Sequence, residues 1–356
     1  MGLFSLRTKS LVGLDIGSSA VKAVELRQTA SGYKVAAIGS EPVPPHCIVD
    51  GAIVDGGAVA DVIRQVFEKN NFKATEVVGS VSGNAVIVKK IVLPQMTEEE
   101  LAEAIYWEAE QYIPFDIQDV NLDYQMLAVG PDDADRDTMA VLLVAAKKEK
   151  IADYTGVISQ AGRVPVVVDV DAFALQNAYE ANYGIDLARV VVLVNAGASA
   201  ININIIEGGQ SLFTRDISIG GNAYTEALQK ELSLSFEKAD LVKRGVPVEG
   251  ARADDVDPII RTVTETLLLE IERTFDFFKA TAASDRIDEL VVSGGAAGID
   301  GFNQAFEARF NLPVTAFDPF RQIAFDTSKF SAERRAELAP TIAVAVGLAL
   351  RQVNDR

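Results

Sequence analysis

The chain has 356 residues, 49% hydrophobic and 24% charged, too many for one compact unit at ~100–200 residues per domain, so two lobes are expected. Acidic residues outnumber basic ones 51 to 33, and a net charge of -18 repels phosphate backbones and anionic lipid surfaces, which sets nucleic acid aside as a partner. One cysteine, Cys47, and one histidine, His46, supply neither a disulfide framework nor a Cys/His zinc site.

The opening Met1-Gly2-Leu3-Phe4-Ser5-Leu6 lacks the apolar run and cleavage site of a secretory signal, and no stretch approaches the ~18 apolar residues of a membrane span. Gly2 makes no myristoylation signal, because Leu6 stands where that pattern needs Ser or Thr. A cytoplasmic protein is expected, touching a membrane only through partners.

Leu14-Asp15-Ile16-Gly17-Ser18-Ser19-Ala20-Val21 is an apolar run, a polar residue, a glycine turn and a second apolar run; this predicts a β-hairpin, with a strand over 33–40 after it. His46-Cys47 follows Pro44-Pro45 and reads as a surface loop rather than a thiol catalyst. From about Ser82 the texture changes to an inserted subdomain. It opens with a strand over 85–93, and Thr97-Glu98-Glu99-Glu100 is a capping box that starts a helix. That helix carries Leu101, Ala104, Ile105 and Tyr112 on one face, reads as core-facing, and ends before Pro114. The polar run from Gly130 to Asp137 reads as a hairpin loop between strands over 122–129 and 138–145; it lacks the glycine and closing glutamate of a calcium loop.

In the second half, Val194-Asn195-Ala196-Gly197-Ala198-Ser199-Ala200-Ile201 echoes the first hairpin, with Asn195 standing where Asp15 stands, and a strand over 211–218 follows it. Helices are expected from 222, through 244 and over 256–280, then a strand over 289–293. A last helix over 340–351 is rich in Ala343, Ala345, Gly347 and Ala349, small enough for close approach to a neighbouring helix and for a hinge.

A phosphate needs converging N–H donors with no side chains in the way. Gly17-Ser18-Ser19 and Gly197-Ala198-Ser199 are two such turns, which opposed across a cleft clamp a polyphosphate. Asp15, at the base of the first, is placed to hold a magnesium ion directly or through water. A buried strand runs into Gly294-Gly295-Ala296-Ala297-Gly298, a loop able to lie flat against an adenine, and Gly220-Gly221 opens another helix. Asp240 and Lys243 share a helical face that suits ribose hydroxyls, or is simply a solvated ion pair. The plain alternative for the glycine motifs is ordinary turns. No P-loop, no Gly-x-Gly-x-x-Gly opening a first βα unit and no nucleophile elbow is present.

The ordered set resembles the actin, hexokinase and heat-shock-chaperone ATPase superfamily: an α/β, two-lobed actin-like (ribonuclease H-like) fold. The resemblance covers nearly the whole chain. It implies phosphate loops at Asp15–Lys22 and Asn195–Ile201, an adenosine loop at Ser293–Gly298, and connecting helical segments at 168–179 and 340–351. Within it, the runs Val12–Glu25, Glu108–Phe115 and Arg215–Gly221 resemble the PilM family of type IV pilus components, with an FtsA-type inserted subdomain. That likeness implies ATP or ADP with Mg2+ as cofactors, and as partner the N-terminal cytoplasmic tail of PilN, gripped between insert and first lobe, beside other inner-membrane platform and motor proteins of the pilus. It divides the chain into 1–82, the insert 83–160, 161–188, 189–225, 226–285, 286–339 and 340–356. Hydrolysing relatives place an acid where this chain has Asn195, so Asp171 is the remaining candidate base and turnover is expected to be slow or absent. A small-molecule kinase, with Asp169 or Asp171 as base, and an FtsA-like division protein are the other readings; the latter fits less well because the sequence carries no amphipathic tail after the last helix.

Overall fold

The fold is read from a computed structural model that describes residues 10–127, 137–282, 286–327 and 329–353. Strand β1 (Val12–Ile16) returns as β2 (Ala20–Thr29) and β3 (Gly32–Pro42), an antiparallel meander in which Asp15 lies opposite Lys22. A two-residue ladder, β4 (Ile48–Val49) with β5 (Ala52–Ile53), leads to helix α1 (Gly56–Lys69). Asp55 caps α1 by accepting from Ala58 N–H, and Val59, Ile63, Val66 and Phe67 turn its apolar face onto the sheet. Cys47 is buried in that core, so it belongs to the packing and not to an exposed loop; burial also raises its thiol pKa above the ordinary value.

Strand β6 (Glu76–Val81) runs parallel to β1 and leads into the insert, whose sheet has the order β7 (Val86–Pro94), β9 (Thr138–Lys147), β8 (Val120–Met126). Helix α2 (Glu98–Glu110) covers it, with the Thr97–Glu100 capping box formed and Leu101, Ile105 and Ala109 packed on Leu93, Val141 and Leu143. The loop expected between β8 and β9 lies almost wholly outside the described residues, as does the opening segment. Helix α3 (Lys148–Gln160) brings the chain back, and β10 (Val164–Val170) adds parallel to β6.

Helix α4 (Asp171–Tyr183) follows directly. The connecting segment expected over 168–179 is therefore strand up to Val170, because the β-branched run Val166-Val167-Val168 pairs with β6 before the helix begins.

The second lobe repeats the order. Strands β11 (Val190–Ala196), β12 (Ile201–Glu207) and β13 (Gln210–Ile217) form the meander, then come α5 (Asn222–Leu232), α6 (Phe236–Lys243) and α7 (Ala253–Thr281). Strand β14 (Glu289–Ser293), α8 (Phe302–Phe310), β15 (Val314–Ala316), α9 (Ala332–Leu338) and α10 (Ala343–Leu350) complete the chain. Read from the meander outward, the sheets run β3-β2-β1-β6-β10 and β13-β12-β11-β14-β15, two copies of one topology.

Helix α10 starts at Ala343 and not at Pro340; the Pro340 carbonyl instead accepts the N–H of Gly294. It packs on α4 so closely that a Cβ on Gly347 would lie 1.6 Å from the carbonyl oxygen of Ala174. Around this crossing Leu175, Tyr179, Val191, Phe317, Ile342 and Val346 join Val24 and Ile38 in one apolar cluster shared by the lobes. Among the described residues no helix is long and apolar enough to cross a membrane.

Candidate functional site

The two glycine hairpins face each other at the seam between the lobes. Each tip is closed by its own glycine, Gly17 N–H on Ala20 O at 3.1 Å and Gly197 N–H on Ala200 O at 2.9 Å. Their serines touch: Ser18 Oγ and Ser199 Oγ are 2.6 Å apart.

The second tip is braced from below. Gly221 N–H donates to Gly197 O at 2.8 Å and Asn222 N–H to Ala198 O at 2.7 Å, so the first donors of α5 hold the loop itself. A Cβ on Gly220 would stand 2.6 Å from Gly197 O, which makes glycine necessary there. Gly294, with φ +95, has its missing Cβ 2.3 Å from Ala196 O. Gly295 has open space, and Ala296 lies beside Gly221. The loop opens into a single 3-10 turn, Gly295–Gly298, and α8 begins only at Phe302. Two glycine segments, Gly220-Gly221 and the Gly294 loop, thus converge on the Gly197 hairpin.

Asp15 is bound within its own hairpin, accepting from Lys22 Nζ at 2.9 Å. Among the described residues no group of three or more His, Cys, Asp or Glu could hold a metal ion. One carboxylate beside a glycine turn still suits Mg2+, which binds through one or two carboxylates and phosphate oxygens rather than in an all-protein cage.

Asp171 is the first residue of α4 and accepts from Ser80 Oγ at 2.5 Å. Burial, then the Asp15 charge, push its carboxyl up to about 6, against hydrogen bonds from Ser80 and Ser82 that act the other way, with Asp216 a further raising charge. The neighbouring Asp169 is a structural group: its Oδ1 accepts from Val170 N–H and its Oδ2 lies 3.3 Å from Arg351 Nε.

Asp240 and Lys243 are joined to each other at 2.7 Å, and Lys243 Nζ also donates to Thr225 Oγ1 at 2.9 Å. A cavity of about 450 Å³ lies at the C-terminal ends of β14 and β15, between Ala297, Gly298, Asn303, Phe317, Arg335 and Pro340. Neither Asp240 nor Lys243 lines it, so the expected base loop and ribose pair do not share this cavity.

Sequence reasoning missed two residues at the seam. Asn195 Nδ2 donates to Asn202 Oδ1 at 3.0 Å, and Asn202 Nδ2 to Asp216 Oδ1 at 2.8 Å. The signal was present in β12, where Asn202 and Asn204 alternate with Ile201, Ile203 and Ile205 in a strand buried on both faces. Asn204 is paid no water contact; it donates to Ala172 O and Gln176 Oε1 and accepts from Ser211 Oγ.

The family described as type IV pilus assembly protein PilM matches residues 13–353 of this sequence. The chain belongs to that family. Its fold superposes with a TM-score of 0.84 on a chain of the solved PilM-PilN type IV pilus biogenesis complex, at 30% identity over 98% of this chain and 100% of that one. More distant likenesses, which show the fold alone, are the ethanolamine utilization protein EutJ from Carboxydothermus hydrogenoformans (TM-score 0.57, 16% identity, 97% of this chain and 90% of that chain) and MreB5 of Spiroplasma citri bound to AMPPNP (TM-score 0.51, 14% identity, 96% and 95%). The fold is thus actin-like, and the division-protein and kinase readings are not favoured.

Proposed function

We propose that this PilM-family chain is a nucleotide-binding platform of the type IV pilus inner-membrane complex, holding the N-terminal cytoplasmic tail of PilN and meeting the membrane, and other platform and motor proteins, through partners. The observation that carries the nucleotide half is the pair of glycine hairpins meeting at Ser18 and Ser199. Gly17 and Gly197 use their N–H groups inside the turns, so the phosphate-facing role falls to Ser18, Ser19, Ala198 and Ser199, with Lys22 as a neighbouring cation. Gly220 and Gly221 set the second tip in place, the Gly294–Ala296 loop offers adenosine the exposed, side-chain-free Gly295 with Gly294 and Ala296 buried behind it, and Asp240 with Lys243 would meet the ribose. Mg2+, when bound, would neutralise phosphate charge beside Asp15. Asn195 cannot take up a proton, which leaves Asp171 as the base and makes hydrolysis slow.

The partner half rests on the family and on the match to a complex containing PilN. The segment 83–160 would be the partner-binding insert, fixed to the first lobe where Tyr154 Oη and the Lys150 ammonium both donate to Gly51 O. The test is calorimetric titration of the full chain with a synthetic PilN tail peptide. Saturable binding is expected; heats no larger than dilution would remove the platform reading.

A further inference from the structure

Strands β11, β12 and β13 pair in a register that places Asn195 opposite Asn202 and Asn202 opposite Asp216. The three side chains form one hydrogen-bonded row across the sheet, ending on Asp216 Oδ1. The other carboxylate oxygen, Oδ2, accepts the backbone N–H of Gly83. Gly83 belongs to the first lobe's side of the molecule: it lies between the end of β6 and the start of β7, with φ +83, at the point where the insert leaves the lobe. The row therefore begins at the head of the second phosphate hairpin and ends at the root of the insert.

The seam has a second contact, the Ser18–Ser199 hydroxyl pair, and Ser199 sits three residues before Asn202 on the same hairpin. A phosphate entering between the tips would separate that pair and move the hairpin whose turn Asn195 and Asn202 flank. Both oxygens of Asp216 accept from donors, which only a carboxylate does with this geometry; an amide in its place sets a donor against a donor.

We propose that Asp216 is the positioning residue through which occupancy of the cleft reaches the insert, so that nucleotide and partner peptide alter each other's affinity through the row Asn195–Asn202–Asp216–Gly83. This rests on the nucleotide-platform reading. Coupling of this kind is reciprocal, and typically about 5–150-fold in affinity.

The test uses the full chain, MgATP and the synthetic PilN tail peptide, with peptide affinity measured by calorimetry with and without nucleotide. In the unchanged protein the two affinities should differ at least about fivefold. Asp216→Asn should bind each ligand alone within about threefold of the parent, while the ratio between the two peptide affinities falls towards one. A variant ratio equal to the parent's overturns the inference and leaves the platform intact. Two measurable ligands with no coupling in the parent also overturn it, and failure of either ligand to bind the parent removes the platform reading itself. A ligand-free readout guards against a merely unstable variant: amide exchange in the segment around Gly83 should quicken in Asp216→Asn but not in Asn202→Ser, which cuts the row while sparing the Gly83 contact. Equal exchange in both variants contradicts the assignment.

Discussion

At Asp171 the fold holds a carboxyl above its ordinary range, up to about 6 from 3.8, by burial and by the facing Asp15. A raised value means that the folded protein binds this proton more tightly than the unfolded chain, so the stability it contributes is present at low pH and lost as pH rises through about 6. The residue is only partly buried, which reduces the penalty below the roughly 3 kcal/mol that a rise from 3.8 to about 6 represents. Asp171→Asn, which can still accept from Ser80, should therefore stabilise the protein by about 1–2 kcal/mol at pH 7–8 and by nothing near pH 4. Thermal melts across that range check it; a gain that persists at low pH would mean the ionised form carries no penalty. Asp171 was legible only through the resemblance, as an acid in the first connecting segment beside Asp169, and the sequence did not separate the two. Asp216 was not, because its role depends on cross-strand register with Asn202 and on a contact to Gly83, 133 residues away.

Among elements, the α4–α10 crossing is the most demanding. The missing Cβ of Gly347 coincides with the backbone of Ala174, so Gly347→Ala has to push the two helices apart and should cost about 1–3 kcal/mol or more in chemical denaturation. Gly156, inside α3 with nothing within 4 Å of its missing Cβ, is the contrasting case: Gly156→Ala should stabilise by about 0.4–1 kcal/mol. Similar effects at the two positions would contradict the packing described. The small residues of α10 were legible as a close-approach face, but its partner was not. Boundaries failed where tertiary pairing overrode local pattern, as at Val168, drawn into a strand by β6, and at Pro340, held outside its helix to receive Gly294 N–H.

For the whole molecule, the repeated hairpin was enough to anticipate two lobes, and both sheets carry the same strand order around it. What the repeat did not contain was how the lobes are joined. That depends on the shared core around Tyr179 and Val346, and on polar contacts made by residues that look unremarkable in sequence, Ser18 and Ser199 among them. The apolar core holds the lobes together at the helix crossing, while the hairpin tips meet through the hydroxyls of Ser18 and Ser199, the weaker contact and the one that a phosphate bound as proposed would part. Closure on nucleotide should accordingly be felt first at the tips and only then at the insert.

The most direct test of a nucleotide held between the two hairpins is calorimetric titration of the nucleotide-stripped full chain with MgATP, beside Gly197→Asp. That substitution puts a carboxylate at the second tip, where the missing Cβ already lies 2.9 Å from Ala200 O. Saturable binding in the parent, weakened at least about tenfold (about 1.4 kcal/mol) in a variant that melts normally, is the predicted result. No binding in the parent, or equal binding in both, would contradict it and reduce the hairpins to structural turns.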